Sequence, residues 1–227
     1  RALWRPRNRF KVIHRGRDPA KFCQQSAAAR FQARAKLGAA KKDVVIVGLG
    51  RCIASKRFDL LVAAFSALHT HENVWLWVIG SGPALADLKV QVEGQPETVA
   101  RRIVLWGHCD AVPERLALAD IFVSASSYEG LPGAVIEAQL CGLPVLLSDI
   151  PPHRELYCPE IGSLHRSGDV AALQRDLECW IENSEWRENA GRQARAHAMQ
   201  HFSLAGMVEA HRAFYARLLK DLSGAIV

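Results

Sequence analysis

Ile121-Phe-Val-Ser-Ala-Ser-Ser-Tyr-Glu-Gly-Leu-Pro-Gly-Ala-Val-Ile-Glu137 reads as a buried apolar strand that dissolves into small polar residues, turns at Gly130 and enters a helix at Pro132. In open parallel sheets, ligands bind at the carboxyl ends of strands that stop in this way. The helix beginning at Pro132 brings free N–H groups and the positive end of its dipole, a natural cradle for phosphate. Glu129 stands just before that helix, and Glu137, about one and a half turns in, can reach along the same crevice. An ionised carboxylate only accepts hydrogen bonds, so both suit the paired O–H donors of a ribose or a hexose. Spacing alone leaves open a plainer reading, in which Glu129 complements the helix dipole and Glu137 is a structural acid.

Outward from this stretch, short apolar runs alternate with amphipathic ones from Asp43 onward, the pattern of parallel strands joined by right-handed helical crossovers. Strands are expected near residues 44–48, 74–79, 103–106, 121–124 and 144–147, with a weaker one near 162–164. Helices fall at about 58–69, 84–93, 112–118, 132–141 and 170–183, and a helical tail occupies 185–201 and 204–222. Ser203 is a good N-cap for the last of these. The fold class is therefore α/β, a Rossmann-like three-layer domain with a parallel sheet of about six strands. The strand-like triplet at 10–13 and the Gly/Asp-Pro turn behind it look like a connector arriving from another domain, giving a division into a linker with a first strand (1–22) and a nucleotide-sugar-binding domain (23–227).

At 227 residues and 49% hydrophobic content, one sizeable core is expected. No apolar run approaches the ~18 residues of a spanning helix, and the basic start at Arg1 has no apolar signal region behind it, so a cytoplasmic protein is expected. The six cysteines contain no Cys-x-x-Cys pair and are read as reduced. His197 and His201 stand at helical spacing without a third ligand, and are read as surface residues. The net charge of +6 is uneven, because residues 1–42 hold 13 Lys and Arg against Asp18 alone, while the remainder holds 16 against 22 acidic residues. Such a segment can face an anionic membrane at the inner surface, nucleic acid or an acidic partner, or simply be a solvated helix over 26–42.

Val47-Gly-Leu-Gly-Arg-Cys-Ile-Ala-Ser-Lys56 ends the first strand in glycines and presents Arg51 and Lys56 on the loop into the next helix. A guanidinium fork and a mobile ammonium there can neutralise a departing diphosphate in the place of magnesium. Taken together, Gly50-Arg51 with Lys56, Gly80-Ser-Gly-Pro83, Gly107 followed by Val112 and Leu116, Ala119-Asp-Ile-Phe-Val123, Glu129-Gly-Leu-Pro132, Glu137-Ala138 and Gly142-Leu-Pro-Val145 with Ser148 resemble family 4 of the retaining glycosyltransferases. The likeness runs from about Val12 to Leu219.

That resemblance implies the C-terminal half of a GT-B fold, and a nucleoside-diphosphate sugar as donor with no metal and no other cofactor. It implies that Arg51 and Lys56 bind the diphosphate, Glu129 the transferred hexose and Glu137 the ribose. Main-chain groups of Gly130, Leu131, Pro132 and Gly133 would meet phosphate and hexose, and the Gly107–His108 loop would line the base pocket. Polysaccharide or lipopolysaccharide assembly is the implied setting. The chain departs from the family in carrying Arg57 where glycine is usual, a third cation that tunes the donor or points outward. It also lacks the family's N-terminal acceptor domain, so the fragment alone is expected to bind donor weakly and to transfer little.

Three rival readings compete. A nicotinamide dehydrogenase fails for want of the third glycine after Gly48-Leu-Gly50. A sugar-nucleotide epimerase of the same architecture would need acid/base residues on the hexose that cannot be assigned here. A nucleotide- or polyanion-binding module would use the basic first 42 residues, but Trp4, Phe10, Phe22 and Phe31 form no evident stacking platform, so no nucleic-acid partner is expected. His108 and His153 are read as structural or surface residues.

Overall fold

A computed structural model describes residues 11–68 and 71–223. Its elements run α1 (Ala27–Ala35), β1 (Val44–Leu49), α2 (Phe58–Ser66), β2 (Val74–Ile79), α3 (Leu85–Glu93), α4 (Glu97–Ala100), β3 (Ile103–Gly107), α5 (Val112–Leu116), β4 (Ile121–Ser124), α6 (Gly133–Leu140), β5 (Val145–Ser148), α7 (Pro151–Arg154), β6 (Gly162–His165), α8 (Val170–Glu182), α9 (Ser184–His201) and α10 (Leu204–Ser223). The six strands form one parallel sheet in the order β3-β2-β1-β4-β5-β6. This is the doubly wound α/β arrangement expected from the alternating pattern.

Strand residues alternate between two cores because successive side chains leave opposite faces of a pleated sheet. From β1, Val44 and Ile46 point into a core shared with α2, α3 and α8, whereas Val45 and Val47 point into one shared with α6 and α9. The same division separates Ile121 and Val123 from Phe122 in β4, and Leu146 from Val145 and Leu147 in β5. A strand covered on both faces reads as an unbroken apolar run, which is why β1 and β2 were plain in the sequence while β6, Gly-Ser-Leu-His, gave a weaker signal.

Two departures concern the amino-terminal region. Residues 11–16, which include most of the expected strand, form none; among the described residues the connector's one β-bridge joins Arg17 to Ser203. Phe10 lies outside the described residues. The first helix also stops at Ala35 rather than near residue 42, the chain turning at Gly38 in the left-handed region at φ 85°.

Nor is α1 wholly a solvated helix. Arg34 is 6% exposed, and its Nη2 donates to Asp120 Oδ2 at 2.6 Å while its Nε donates to the Leu118 carbonyl. Arg30 Nη2 takes the other Asp120 oxygen at 2.8 Å, and the Val45 N–H also donates to Oδ2 at 2.8 Å. One carboxylate thus fastens α1 to the starts of β1 and β4. Burial pulls the Arg34 pKa below its usual value, and Asp120 opposes that pull.

Arg57 stands in the left-handed region at φ 52°, ψ 40°, the only described non-glycine residue with positive φ. The related family's preference for glycine at this position has its physical reason here. Arg57 points to Asp59 through Nε and Nη2 at 3.1 Å, so it is outward-facing rather than a third cation of the crevice. Two outcomes follow for stability in urea. Arg57→Gly should stabilise the domain by about 0.5–1 kcal/mol, the left-handed strain relieved less the added chain entropy of glycine. Asp120→Asn should destabilise it by about 3 kcal/mol, because Arg34 then stays buried without its counter-charge.

Candidate functional site

The strand order fixes where a crevice can open. From β1 the chain moves outward to β2, and from β4 it moves to β5 on the other side, so the loops following two adjacent strands diverge. Those loops are the Gly50–Arg57 turn and the Ala125–Pro132 segment. They are tied directly, the Ser127 N–H donating to the Ser55 carbonyl at 2.8 Å.

Across this join Lys56 Nζ meets Glu129 Oε1 at 2.5 Å, with the two side chains 19% and 10% exposed. Ser126 Oγ donates to the same carboxylate oxygen at 2.8 Å. Behind it, Ser148 Oγ donates to the Ser126 carbonyl at 2.5 Å, and His153 Nδ1 lies 2.8 Å from the Ser148 carbonyl. An N–H at Nδ1 satisfies that carbonyl, so the network assigns a neutral His153 with its proton there. The Glu129 carboxylate is therefore held from two sides, by a cation and by a buried hydroxyl chain running to the end of β5.

At α6 no side chain caps the amino end, and the N–H groups of Gly133 and Ala134 donate to no acceptor among the described residues. These residues line a cavity of about 1090 Å³, together with Gly50, Lys56 and Glu137. Open donors, a cation and a carboxylate thus share one wall, the combination that an anion with attached hydroxyls requires.

The sequence-predicted residues are not all equivalent in space. Lys56, Glu129, Gly133 and Glu137 come together; Lys56 joins Glu129 to the cavity wall. Arg51 does not line the cavity; it is exposed on the loop between Gly50 and Lys56, which do. Gly130, Leu131 and Pro132 form the turn into α6. Gly107 and His108 do not line the cavity; His108 is 79% exposed in its side chain and reaches Asp110 at 3.2 Å. The wall on that side is built instead by Asp110, Val112, Pro113 and Glu114.

One residue went unread in the sequence. Arg17 of the connector donates from Nε to Glu137 Oε1 at 2.7 Å, and its guanidinium lies over Gly133. The only signal available was a lone arginine 120 positions from its partner.

Two buried histidines stand behind the site. Burial lowers the pKa of His153, with Lys56 adding to that direction and Glu129 opposing it. Burial, with His153 nearby, pushes His165 down to about 4, and neither ring nitrogen of His165 has a hydrogen-bond partner among the described residues. No group of three or more His, Cys, Asp or Glu with metal-holding geometry occurs among the described residues.

A doubly wound α/β domain with a cation, two carboxylates and an open helix end at its switch point is the class that the fold and site define. The chain belongs to the family described as Glycosyl transferases group 1, which it matches over residues 29–197. It is 29% identical over 147 residues to the UDP-Gal:alpha-D-GlcNAc-diphosphoundecaprenol alpha-1,3-galactosyltransferase of Escherichia coli, covering 63% of this chain and 37% of that protein. It is 25% identical over 218 residues to the lipopolysaccharide core biosynthesis mannosyltransferase LpsB of Rhizobium meliloti, covering 92% of this chain and 61% of that one. Among solved structures, Anabaena HepE in complex with UDP-glucose shares the fold with a TM-score of 0.81 at 22% identity, covering 91% of this chain and 57% of that chain. The chain thus spans between about a third and two thirds of the length of these relatives.

The histidines set a pH dependence. A histidine whose folded pKa lies below its unfolded value of about 6.5 leaves stability undiminished above that pH. As pH falls from 6.5 to about 4, the unfolded chain takes up the proton that the native state refuses, and stability declines. Urea titrations at pH 7 and pH 4 should show His165→Leu losing about 3 kcal/mol less than the wild type over this interval, by the linkage relation.

Proposed function

We propose that this chain is the donor-binding part of a retaining, metal-independent glycosyltransferase, moving a hexose from a nucleoside-diphosphate sugar to a glycan or lipid-linked acceptor. The observation that carries the reading is the Lys56–Glu129 pair at the switch point, beside Glu137 and the uncapped end of α6. Family membership supports it, as do the complex of HepE with UDP-glucose and the UDP-Gal donor in the name of the E. coli relative.

In this reading Glu137 accepts from the ribose hydroxyls and Glu129 from those of the hexose, while Arg51, Lys56 and main-chain groups from Gly130 to Gly133, among them the open Gly133 N–H, receive the diphosphate. The bond between the anomeric carbon and the diphosphate oxygen breaks. An acceptor oxygen bonds to the same face of that carbon, and its proton passes to the departing diphosphate. The two cations and the helix dipole stabilise the charge that accumulates on the leaving group, the role a divalent ion fills in other transferases.

The relatives are longer than this chain, so the acceptor side belongs to a further domain, the connector at 11–22 leads toward it, and these 227 residues alone bind donor but transfer little. Cell-surface polysaccharide or lipopolysaccharide assembly at the inner face of the membrane is the setting this reading takes, supported by the lipopolysaccharide core biosynthesis in the name of the R. meliloti relative and the diphosphoundecaprenol-linked sugar in that of the E. coli one. No helix of the described residues is long and apolar enough to cross a membrane, so contact with an anionic lipid surface would be peripheral.

Calorimetric titration with UDP and GDP tests the assignment. Glu137→Ala, and Arg51→Ala combined with Lys56→Ala, should each weaken binding of the preferred nucleotide about tenfold or more, the worth of a lost charged hydrogen bond. Excess EDTA should leave the wild-type affinity unchanged. A wild type that binds neither nucleotide, or variants that bind as the wild type does, would sink the reading.

A further inference from the structure

The connector does more than lead into the domain. The Arg17 N–H donates to the Phe202 carbonyl at 2.9 Å, and the Leu204 N–H donates to the Arg17 carbonyl at 2.8 Å, so its backbone is clamped to the junction between α9 and α10. Gly16 before it permits the clamp, because a Cβ there would collide with the Ser203 main chain. With the backbone fixed on that side, the Arg17 side chain extends across the amino end of α6. Its Nε holds Glu137 Oε1 at 2.7 Å, and a Cβ on Gly133 would run into Nη2. A side chain at 133 would thus displace the end of the guanidinium above it.

Glu137 is 17% exposed in its side chain, and among the described residues its other oxygen has no hydrogen-bond partner. A glutamate on a helix surface has three rotatable side-chain bonds, and a carboxylate that must accept from two adjacent hydroxyls binds better when those rotations are already restricted. An arginine fork restricts them more firmly than a lysine, because its donors lie in one rigid plane.

We propose that Arg17 is a positioning residue for the donor. It turns the Glu137 carboxylate so that the unpartnered oxygen faces the ribose diol, which makes discrimination of ribose from deoxyribose depend on the connector. The proposal rests on the nucleoside-diphosphate reading above. It places the residue that sets ribose selectivity outside the segment carrying the ligand carboxylate, and it links that selectivity to the α9–α10 junction.

The test compares UDP and GDP with their 2′-deoxy forms by calorimetry on the 227-residue chain, in the wild type and in Arg17→Ala and Arg17→Lys. The wild type should prefer the ribonucleotide about tenfold, the value of one hydroxyl held by a carboxylate. In Arg17→Ala that preference should fall to about twofold, through weaker binding of the ribonucleotide with the deoxy form little changed, and Arg17→Lys should be intermediate. Loss of structure alone would weaken both nucleotides together and leave the ratio intact, which would overturn the proposal. Tighter binding in Arg17→Ala would overturn it as well, by showing that the arginine merely covers Glu137. Should the alanine variant fail to fold by thermal melting, the ratio in Arg17→Lys decides: a wild-type ratio there rejects the role. A wild type that binds no nucleoside diphosphate would defeat the donor-site reading and this one with it, whereas an unchanged ratio in variants of a binding-competent protein would defeat this one alone.

Discussion

Everything at the site depends on one topological constraint, the divergence of the chain at the adjacent strands β1 and β4. Parallel strands need crossovers, and crossovers that leave neighbouring strands in opposite directions cannot cover the strand ends between them. The loops after β1 and β4 must therefore face each other across an uncovered gap. They meet through the Ser127–Ser55 main-chain bond and the Lys56–Glu129 pair, contacts between residues 72 and 73 positions apart. The gap opens where Gly50 ends one wall and the free N–H groups of Gly133 and Ala134 begin the other.

The electrostatic character of the crevice follows from what each charge has as a partner. Lys56 and Glu129 are largely removed from water, which costs desolvation energy that their mutual attraction and the Ser126 hydroxyl offset. Glu137 is matched by Arg17 in the same way, while Arg51 stays solvated. A ligand carrying both anionic and hydroxyl groups can complete such a site without stripping either carboxylate of its cation. A carboxylate has room for further donors, and each cation retains N–H groups for an anion. A bare anion would leave the spare acceptor sites of the carboxylates unused, and a neutral sugar would leave the spare N–H groups of the cations so. The arrangement is thus complementary to a mixed ligand, which is the physical content of the donor assignment.

The six strands of the sheet were legible in the sequence to within one residue at each end, most clearly where burial on both faces leaves an unbroken apolar run, whereas the expected strand at 10–13 did not form over the described residues 11–13. The crossover helices were legible through their periodicity, although the short turns of α4 and α7 were not. In α7 the pair Pro151-Pro152 reads as a loop and becomes a first helical turn only because proline is tolerated there. Lys56, Glu129 and Gly133 could be placed because each follows a strand end or begins a helix, and Glu137 because helical spacing puts it on the turn after that start. Gly107 and His108 carried the same kind of signal, yet the cavity wall lies a few residues further on, since His108 turns out to Asp110. Arg17 could not be read, because nothing in a local pattern reveals a partner 120 positions away. The left-handed backbone at Arg57 is a similar case, where a glycine would have announced the turn and an arginine conceals it.

The uneven charge shows how far composition is from surface potential. Thirteen basic residues in the first 42 suggest a surface seeking an anionic partner. Three of them are already committed inside the domain, Arg17 to Glu137 and both Arg30 and Arg34 to Asp120. Each commitment fastens an amino-terminal segment to the sheet layer, the connector to α6 and α1 to the starts of β1 and β4. Among the described residues of that segment, Lys36, Lys41 and Lys42 are the exposed basic group after α1. They lie just before β1, at the amino ends of the strands and so on the side opposite the crevice, whereas the exposed Lys11, Arg15 and Lys21 belong to the connector, where Lys21 lines the crevice. Part of the excess of charge in this segment is thus internal fastening.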